Sequence, residues 1–208
     1  MEDKLQILLD LSANVVKERD IRSILIRLTD ITKQLLEADR CGIFLHDAER
    51  RELWTIVAHG VDEIRIPEDK GIAGLVLKHR EVLNIPDAYA DPHFDKEVDR
   101  ETGYRTRTML AMPLNDMNGE PIGVFQVINK LNGQPFAEGD VDLLRHVSLY
   151  AASAIESAML YDKLRKAHKD VVYKLSHATK FKDPETQNHI IRVGLYCALL
   201  GESLGWDA

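Results

Sequence analysis

The chain has 208 residues, of which 45% are hydrophobic, an amount typical of a globular core. Its 27 basic and 34 acidic side chains give a net charge of −7, which argues against nucleic acid as the main partner because phosphate binding needs a basic surface. No apolar run approaches the ~20 residues of a membrane span, and the N-terminus lacks the basic region of a signal peptide. We therefore expect a cytoplasmic protein without a membrane partner, whose two cysteines, Cys41 and Cys197, stay reduced.

The order of apolar patterns predicts an α+β domain. Leucines at helical spacing predict a first helix within residues 1–19, and Asp20 is placed to cap a second helix. Gly71–His79 is predicted as a short helix and Val82–Ile85 as a strand, followed by a long polar loop. Two hairpins are also predicted, the second around Asn118-Gly119, with strands at Cys41–His46, Leu53–His59, Thr108–Leu114 and Pro121–Lys130. This order fits an antiparallel sheet with helices packed on one face.

A long helix is predicted from Glu138 onward, over about forty residues. Its small and apolar residues recur at mostly four- and three-residue intervals, close to a heptad seam, which predicts a homodimer paired through parallel helices. The alternative is a helix whose first half packs on its own sheet and whose second half is solvated. The predicted seam consists of Val147, Ala151, Ala154, Ala158, Tyr161, Leu164, His168, Val171 and Leu175.

The polar loop at residues 86–107, called the lid below, suggests ligand binding. Loops of this length inside a compact domain usually enclose a ligand. Gly71-Ile72-Ala73-Gly74 begins the short helix, so its backbone amides can face an anion. A sheet floor, a helix N-terminus and a polar lid are what a cyclic nucleotide would need, although an ordinary surface loop is the alternative.

Five segments carry a resemblance to a known family: RCGIFLHD, EIRIPEDKGIAGLV, LNIPDAYADPHF, GYRTRTMLAMPL and VINKLNG. They resemble the cyclic-nucleotide-binding GAF domains that regulate phosphodiesterases and some adenylyl cyclases, over roughly Asp39 to Leu164. The resemblance implies a GAF fold and a pocket in which the backbone of Ile72 and Ala73 holds the phosphate. The ligand contacts that it implies are Gly42, Ala58, His59, Ile72, Ala73, Asp95, Asp99, Thr102, Thr106 and Gln126.

One departure from the family pattern concerns the base. Relatives that bind cyclic GMP carry Phe-Asp where this chain has Ala58-His59, so a stacking ring and an acceptor for guanine are missing. The pocket could therefore hold cyclic AMP, hold another purine nucleotide, or be empty. Covalent bilin is not expected because the lid has no cysteine, and the histidines near the lid are candidates for haem by type alone.

The family signature N-K…F-x-x-x-D is present as Asn129, Lys130, Phe136 and Asp140, with Val141 in place of the usual glutamate. The expected role is a partly buried Lys130–Asp140 pair that ties the last strand to the long helix, with Phe136 packed beneath it. We expect this pair to be structural and to transmit conformational change. The alternative is a surface lysine beside a helix start capped by Asp140.

The C-terminal segment KFKDPETQNHIIRVGLYCALLGESLG begins a helix at Pro184 and resembles the first helix of the HD-GYP phosphohydrolases. Glu185 and His189 lie four residues apart on one helix face and match metal ligands of that family, a donor pair suited to Fe, Mn or Zn. Two ligands cannot complete a coordination shell, so we expect no catalytic residue and no cofactor in this chain, but a divalent metal in a longer parent.

These patterns together predict four parts: an N-terminal helix at 1–19, a GAF sensory domain at 20–160, a signalling helix and linker at 161–180, and the truncated start of an HD-GYP domain at 181–208. The implied function is a ligand-sensing dimeric module that controls a bacterial cyclic di-GMP phosphodiesterase. Two alternatives are a metal-dependent phosphohydrolase whose catalytic part is mostly missing, and a dimerisation scaffold without a ligand.

Overall fold

The computed structural model describes residues 20–55, 64–179 and 184–205. The helix predicted within residues 1–19 lies outside this part of the chain. The helices are α1 (Ile21–Leu35), α2 (Gly71–His79), α3 (Glu97–Thr102), α4 (Glu138–Thr179) and α5 (Pro184–Ser203). The strands are β1 (Ala38–Asp47), β2 (Glu52–Thr55), β3 (Ile64–Pro67), β4 (Leu83–Ile85), β5 (Met109–Asn115) and β6 (Pro121–Lys130). The chain forms two compact units, divided between Met159 and Leu160.

The six strands form one antiparallel sheet in the order β3-β2-β1-β6-β5-β4, which confirms the predicted α+β class. Strand β6 lies at the centre and pairs with β1 on one side and β5 on the other. Two elements are additional to the predicted order. Strand β3 has only four residues, lies at the sheet edge and includes Pro67. Helix α3 has six residues, mostly polar, inside the lid. Both are too short to show a periodic apolar pattern.

The two faces of the sheet support different helices. Phe125 and Val127 of β6 pack in a cluster with residues of α1 and α4, whereas Val124 packs in a second cluster with α2. Successive side chains of a strand point to opposite faces, so α1 and α4 cover one face and α2 covers the other. The helices therefore lie on both faces, whereas the sequence pattern had placed them on one. The face under α2 is the one on which the candidate site is built.

Local chemistry explains where α1 begins. The Asp20 side chain accepts hydrogen bonds from the backbone N–H and the hydroxyl of Ser23, at 2.9 and 2.7 Å, and thereby satisfies a first-turn amide that has no partner within the helix. These bonds hold the pKa of Asp20 below its ordinary value. The predicted cap is therefore confirmed, and it fixes the helix that packs most closely beside β1.

Helix α4 is continuous over 42 residues, as the periodicity predicted. Its first half is part of the domain core, because Val147, Ala151 and Ala158 are buried in the cluster that also contains Phe125 and Val127 of β6. These three residues of the predicted seam are therefore unavailable to a second copy. Beyond Met159, Leu164 and Leu175 are exposed. No helix in the described part of the chain is long and apolar enough to cross a membrane.

Candidate functional site

Three paired strands form the floor of the site. Gly42 on β1, Gln126 on β6 and Ala111 on β5 are direct partners across the sheet. They lie on the face that also carries Val124 and Phe44, since strand residues two apart share a face. A Cβ built on Gly42 would meet only the Phe44 ring within 4 Å, at 4.0 Å, so the position directly above Gly42 is not filled by another side chain.

Helix α2 begins beside this floor. Its cap residue, Lys70, makes no side-chain hydrogen bond to the first-turn amides, which also lack acceptors within the helix. Gly71 has a φ of 66°, a left-handed conformation that favours glycine. A Cβ on Gly74 would lie 2.4 Å from the carbonyl carbon of Asp69, so only glycine allows the preceding turn to pack against the helix at this position. The turn leaves the amides at Ile72 and Ala73 at the positive end of the helix, where an anion is stabilised.

The β3–α2 turn is held from outside by Glu68. Its carboxylate contacts His46 Nε2 at 2.8 Å and accepts a hydrogen bond from Arg51 Nε at 2.7 Å. These contacts, the one with His46 first, lower the pKa of Glu68. The carboxylate is therefore ionised at neutral pH and fixes the turn that presents the start of α2.

The C-terminal end of the lid is fixed by Asn129. Its Oδ1 accepts hydrogen bonds from the backbone N–H groups of Arg107 and Thr108, at 2.6 and 3.2 Å, and its Nδ2 donates to the carbonyl of Arg105 and the hydroxyl of Tyr104, both at 2.8 Å. Asn129 has a φ of 56°, a left-handed conformation that asparagine tolerates better than most residues. The end of β6 therefore holds three lid residues through one carboxamide.

A second buried network lies within the lid. Asp99 accepts hydrogen bonds from the backbone N–H and hydroxyl of Thr106, at 2.6 and 2.8 Å, and from the Tyr89 hydroxyl at 3.2 Å. Asp99 and Thr106 are both buried, and the Arg105 guanidinium stacks over the Tyr89 ring, 3.3 Å from its centroid. In this structure the two predicted ligand contacts, Asp99 and Thr106, bind one another and so stabilise the lid itself.

The N-terminal part of the lid is held by charge. Lys70 Nζ lies 2.9 Å from Asp95 Oδ2 and 3.1 Å from Glu97 Oε2. The Glu97 backbone amide and then Lys70 lower the pKa of Asp95, and the two carboxylates raise the pKa of Lys70. The predicted ligand contact Asp95 is therefore engaged by the residue that precedes α2.

Some predicted site residues lie outside the description. Ala58 and His59 fall between β2 and β3 in residues 56–63, and nothing is described for the Thr102 side chain. Gly42, Gln126, Ile72 and Ala73 are brought to the same face of the sheet. Of the ten predicted contacts, the described ones therefore form a floor, a helix start and a lid around a common region.

A separate cavity of about 330 Å³ lies on the outer side of α2, lined by Leu75, His79, Glu81, Leu83 and His93. It is not bounded by Gly42 or Gln126. Among the described residues, no three His, Cys, Asp or Glu side chains are arranged to hold a metal ion. This cavity is therefore a feature apart from the predicted pocket.

Lys130 and Asp140 form a tight ion pair, with side chains only 14% and 12% exposed. Asp140 Oδ2 also accepts a hydrogen bond from the backbone N–H of Ala137 at 2.8 Å, so the carboxylate caps the start of α4 as well. Phe136 is buried, and its carbonyl accepts a hydrogen bond from Asn84 Nδ2 at 2.8 Å. The pair joins the end of β6 to α4, and it combines the two roles that the sequence had left as alternatives.

The C-terminal helix begins at Pro184, the position that the cap pattern predicted. His189 is exposed, and the Glu185 side chain is outside the description. The exposed apolar residues of α5 are Ile191, Val193, Leu195, Tyr196, Leu199 and Leu200. Helix α5 is thus an element with a large solvent-facing apolar surface in its own unit.

Sequence reasoning missed Lys70, Tyr89 and Phe94 as parts of this site. Lys70 directly precedes the glycine-rich helix start, which was a usable signal, because a cation beside an anion-binding helix terminus can interact with lid carboxylates. Phe94 packs on the α2 cluster and its ring centroid lies 5.5 Å from that of Tyr89. A single aromatic residue in a polar loop has no periodicity, so its inward position could not be predicted.

Comparisons with known proteins agree on one family. The family model described as GAF domain matches residues 20–155. The dual 3',5'-cyclic-AMP and -GMP phosphodiesterase 11A of Takifugu rubripes is 34% identical over 175 residues, which cover 77% of this chain and 19% of that protein. The dual phosphodiesterase 11 of Drosophila melanogaster is 31% identical over 209 residues, 91% of this chain and 14% of that protein. The chain thus spans less than a quarter of the length of these relatives.

Solved structures show the same fold at low identity. The GAF domain of a phosphoenolpyruvate-protein phosphotransferase from Coxiella burnetii has a TM-score of 0.67 and 22% identity, covering 77% of this chain and 96% of that chain. A GAF domain/HD domain protein from Geobacter sulfurreducens has a TM-score of 0.57 and 17% identity, covering 68% of this chain and 95% of that chain.

The contacts of Asn129 generate a prediction. Replacing Asn129 by Gly keeps the φ of 56° without strain but leaves one buried and one partly buried amide without their acceptor, so we expect a loss of about 2–3 kcal/mol in the free energy of unfolding. Urea denaturation measures this. Asn118→Gly, a replacement at an exposed turn position, is the matched control and should change stability by less than about 0.5 kcal/mol. Equal stability of Asn129→Gly and the wild type would show that the carboxamide does not hold the lid.

Proposed function

The chain belongs to the GAF domain family, and from this premise we propose that it is a cytoplasmic regulatory module that binds a cyclic mononucleotide between its sheet and its lid. Two of the relatives, by their names, are phosphodiesterases of cyclic AMP and cyclic GMP, which supports this ligand class. The observation that carries the proposal is that Gly42, with no side chain filling the position above it, lies on the same sheet face as the uncapped start of α2. A largely apolar sheet face beside a helix N-terminus suits a flat base with one negative charge.

Cyclic AMP is the first ligand to test. His59 stands where a carboxylate would accept hydrogen bonds from the guanine N–H groups. The chain therefore lacks an acceptor that guanine needs and adenine does not. Gln126 can donate and accept hydrogen bonds and lies on the floor, where either purine edge could reach it. The proposal therefore includes cyclic GMP as a weaker ligand.

We propose further that the module is a homodimer paired through the exposed face of α4. Its exposed apolar residues recur at intervals of eleven: Leu149, Leu160 and Val171; Tyr150, Tyr161 and Val172; Leu164 and Leu175. An eleven-residue repeat has about 3.67 residues per turn, slightly more than a straight helix, and favours a nearly straight or weakly right-handed pair. This face keeps Tyr161, Leu164, Val171 and Leu175 of the predicted seam, but it differs in the first half of α4, where Val147, Ala151 and Ala158 are buried in the domain.

The proposed output is an HD-GYP phosphodiesterase in a longer parent chain, with α5 as its first helix. The resemblance of residues 180–205 and the apolar surface of α5 support this, as does the name of one structural neighbour, a GAF domain/HD domain protein. Glu185 and His189 would then supply two ligands of a divalent Fe, Mn or Zn site. Residues elsewhere in the parent would have to complete it.

A substitution at Gly42 gives a direct test of nucleotide binding. We expect wild-type protein to bind cyclic AMP in calorimetry, and Gly42→Leu to weaken binding about 5- to 150-fold, because filling a formed pocket costs about 1–3 kcal/mol. Thermal denaturation of the variant checks that it remains folded; its Cβ alone meets only Phe44 within 4 Å, at 4.0 Å. Gly139→Leu, whose Cβ would meet nothing within 4 Å, is the control and should bind normally. No heat from cyclic AMP or cyclic GMP with folded wild-type protein would favour a scaffold without a ligand.

The dimer is tested by two substitutions at equal exposure. Leu164 and Tyr173 are both 68% exposed, but Tyr173 lies on the opposite side of α4. We expect Leu164→Glu to shift sedimentation equilibrium toward the monomer, because it places like charges in an apolar seam, and Tyr173→Glu to leave the dimer intact. A monomeric wild type, or equal effects of the two changes, would contradict pairing through this face.

The proposed output predicts a difference between this chain and a longer parent. We expect the parent to hold metal and hydrolyse cyclic di-GMP, and to lose both with His189→Ala, because an incomplete coordination shell binds metal weakly. Metal analysis after gel filtration and product chromatography measure the two properties. Hydrolysis of cyclic di-GMP by the 208-residue chain alone would show that its catalytic residues are already present here.

A further inference from the structure

The two ends of the lid are held by different kinds of interaction. We call residues 88–89 and 104–108 the lid base and residues 92–98 the lid tip. At the base, the backbone N–H of Ala88 donates to the carbonyl of Arg107 at 2.7 Å, and the Asn129 and Asp99 networks add hydrogen bonds that are buried or partly buried. Hydrogen bonds of this kind are costly to break because each leaves a buried polar group unsatisfied.

At the tip, the contacts of Lys70 are exposed or partly exposed. Its side chain is 42% exposed, and the side chains of its partners Asp95 and Glu97 are 26% and 64% exposed. Ion pairs in such surroundings contribute little and are screened by salt. Phe94 adds an apolar contact with the α2 cluster, while Val98 and His93 are exposed. The tip is therefore the end of the lid that separates from the domain at the lower cost.

We propose that the lid opens at its tip while its base stays in place, and that Lys70 is the latch that holds the tip closed across the start of α2. Lys70 is suited to this because it belongs to the domain body, immediately before α2, whereas both of its partners belong to the tip. The Lys70 ammonium group thus connects the domain body to the tip, which are the two parts that would separate when the lid opens.

The latch also lies where a ligand must pass. The Cβ of Asp95 is 3.7 Å from the position that a Cβ on Gly71 would take, so a carboxylate of the tip stands beside the positive end of α2. This step rests on the proposed function, which puts the anion of the nucleotide at the same helix end. Tip carboxylates and ligand anion then compete for one positive region, and opening the latch exposes it.

Hydrogen exchange read by mass spectrometry, without any nucleotide, tests the latch. We expect Lys70→Met to raise exchange of the tip amides about fivefold, the size of effect that exposed ion pairs produce, with exchange at the base and in β6 unchanged. Glu97→Gln should give a smaller increase in the same peptides. Glu120→Gln is the matched control: it removes a partner of Arg80 in an exposed pair, Glu120 is also 64% exposed, and the tip should not respond.

Salt gives a second readout on the unmodified protein. Raising the ionic strength from about 0.05 to about 0.5 M should increase exchange of the wild-type tip and leave the Lys70→Met tip unchanged, because the screened pairs are already absent there. Wild-type exchange at the tip in Lys70→Met and Glu97→Gln would overturn the latch. Equal increases at tip and base would overturn opening at one end. These results stand whether or not a nucleotide binds.

A kinetic measurement then connects the latch to the ligand, with cyclic AMP as the probe. We expect Lys70→Met to raise the association rate constant measured by stopped flow, because the open tip is more populated. An unchanged or lower association rate constant, with increased tip exchange, would contradict access through the tip. Absence of cyclic AMP binding in wild-type protein would instead count against the proposed function, and the exchange result would still decide the latch.

Discussion

Two consecutive residues at the end of the central strand join the lid to the long helix. Asn129 binds the backbone of Arg105, Arg107 and Thr108, and Lys130 binds Asp140 at the start of α4. The Lys130–Asp140 pair is mostly buried, so separating its charges would leave one of them without compensation in a poorly solvated place. The backbone between the two side chains cannot move far without disturbing one of them. The lid base, the end of β6 and the start of α4 therefore behave as a connected unit.

The α+β class, most strand positions and the long helix were predictable because each rests on local periodicity. The bounds of α2 and β6 were predicted at both ends, since glycine, proline and apolar alternation mark them. Helix α4 was also predicted, but which of its faces packs inside the domain could not be. Val147, Ala151 and Ala158 have the same spacing whether they meet a sheet or a second helix, and only tertiary structure distinguishes the two.

The candidate site was predictable as a set of residues and not as a set of contacts. Asp95, Asp99 and Thr106 were expected to meet a ligand, yet their polar atoms bind Lys70, Glu97, Tyr89 and one another. Polar residues in a loop indicate that hydrogen bonds will form. Whether they bind a ligand or other residues of the lid depends on which groups the folded chain brings within about 3 Å. Gly42 was expected only from the family resemblance, because a glycine carries no polar group that would suggest a contact. The structure adds that a Cβ at this position would meet only the Phe44 ring within 4 Å.

The division of the lid into a buried base and an exposed tip would separate two tasks of the proposed sensor. A ligand shifts a two-state equilibrium only by the difference between its binding free energies for the two states. Any free energy spent on opening the lid reduces the part that is available for this shift. A tip held by exposed ion pairs keeps this cost small. A base held by Asn129 and Asp99 moves only if the ligand changes contacts that are expensive to break. Because the base is hydrogen-bonded to Asn129, next to Lys130, it would provide a direct polar connection from the lid to α4 in the proposed sensor.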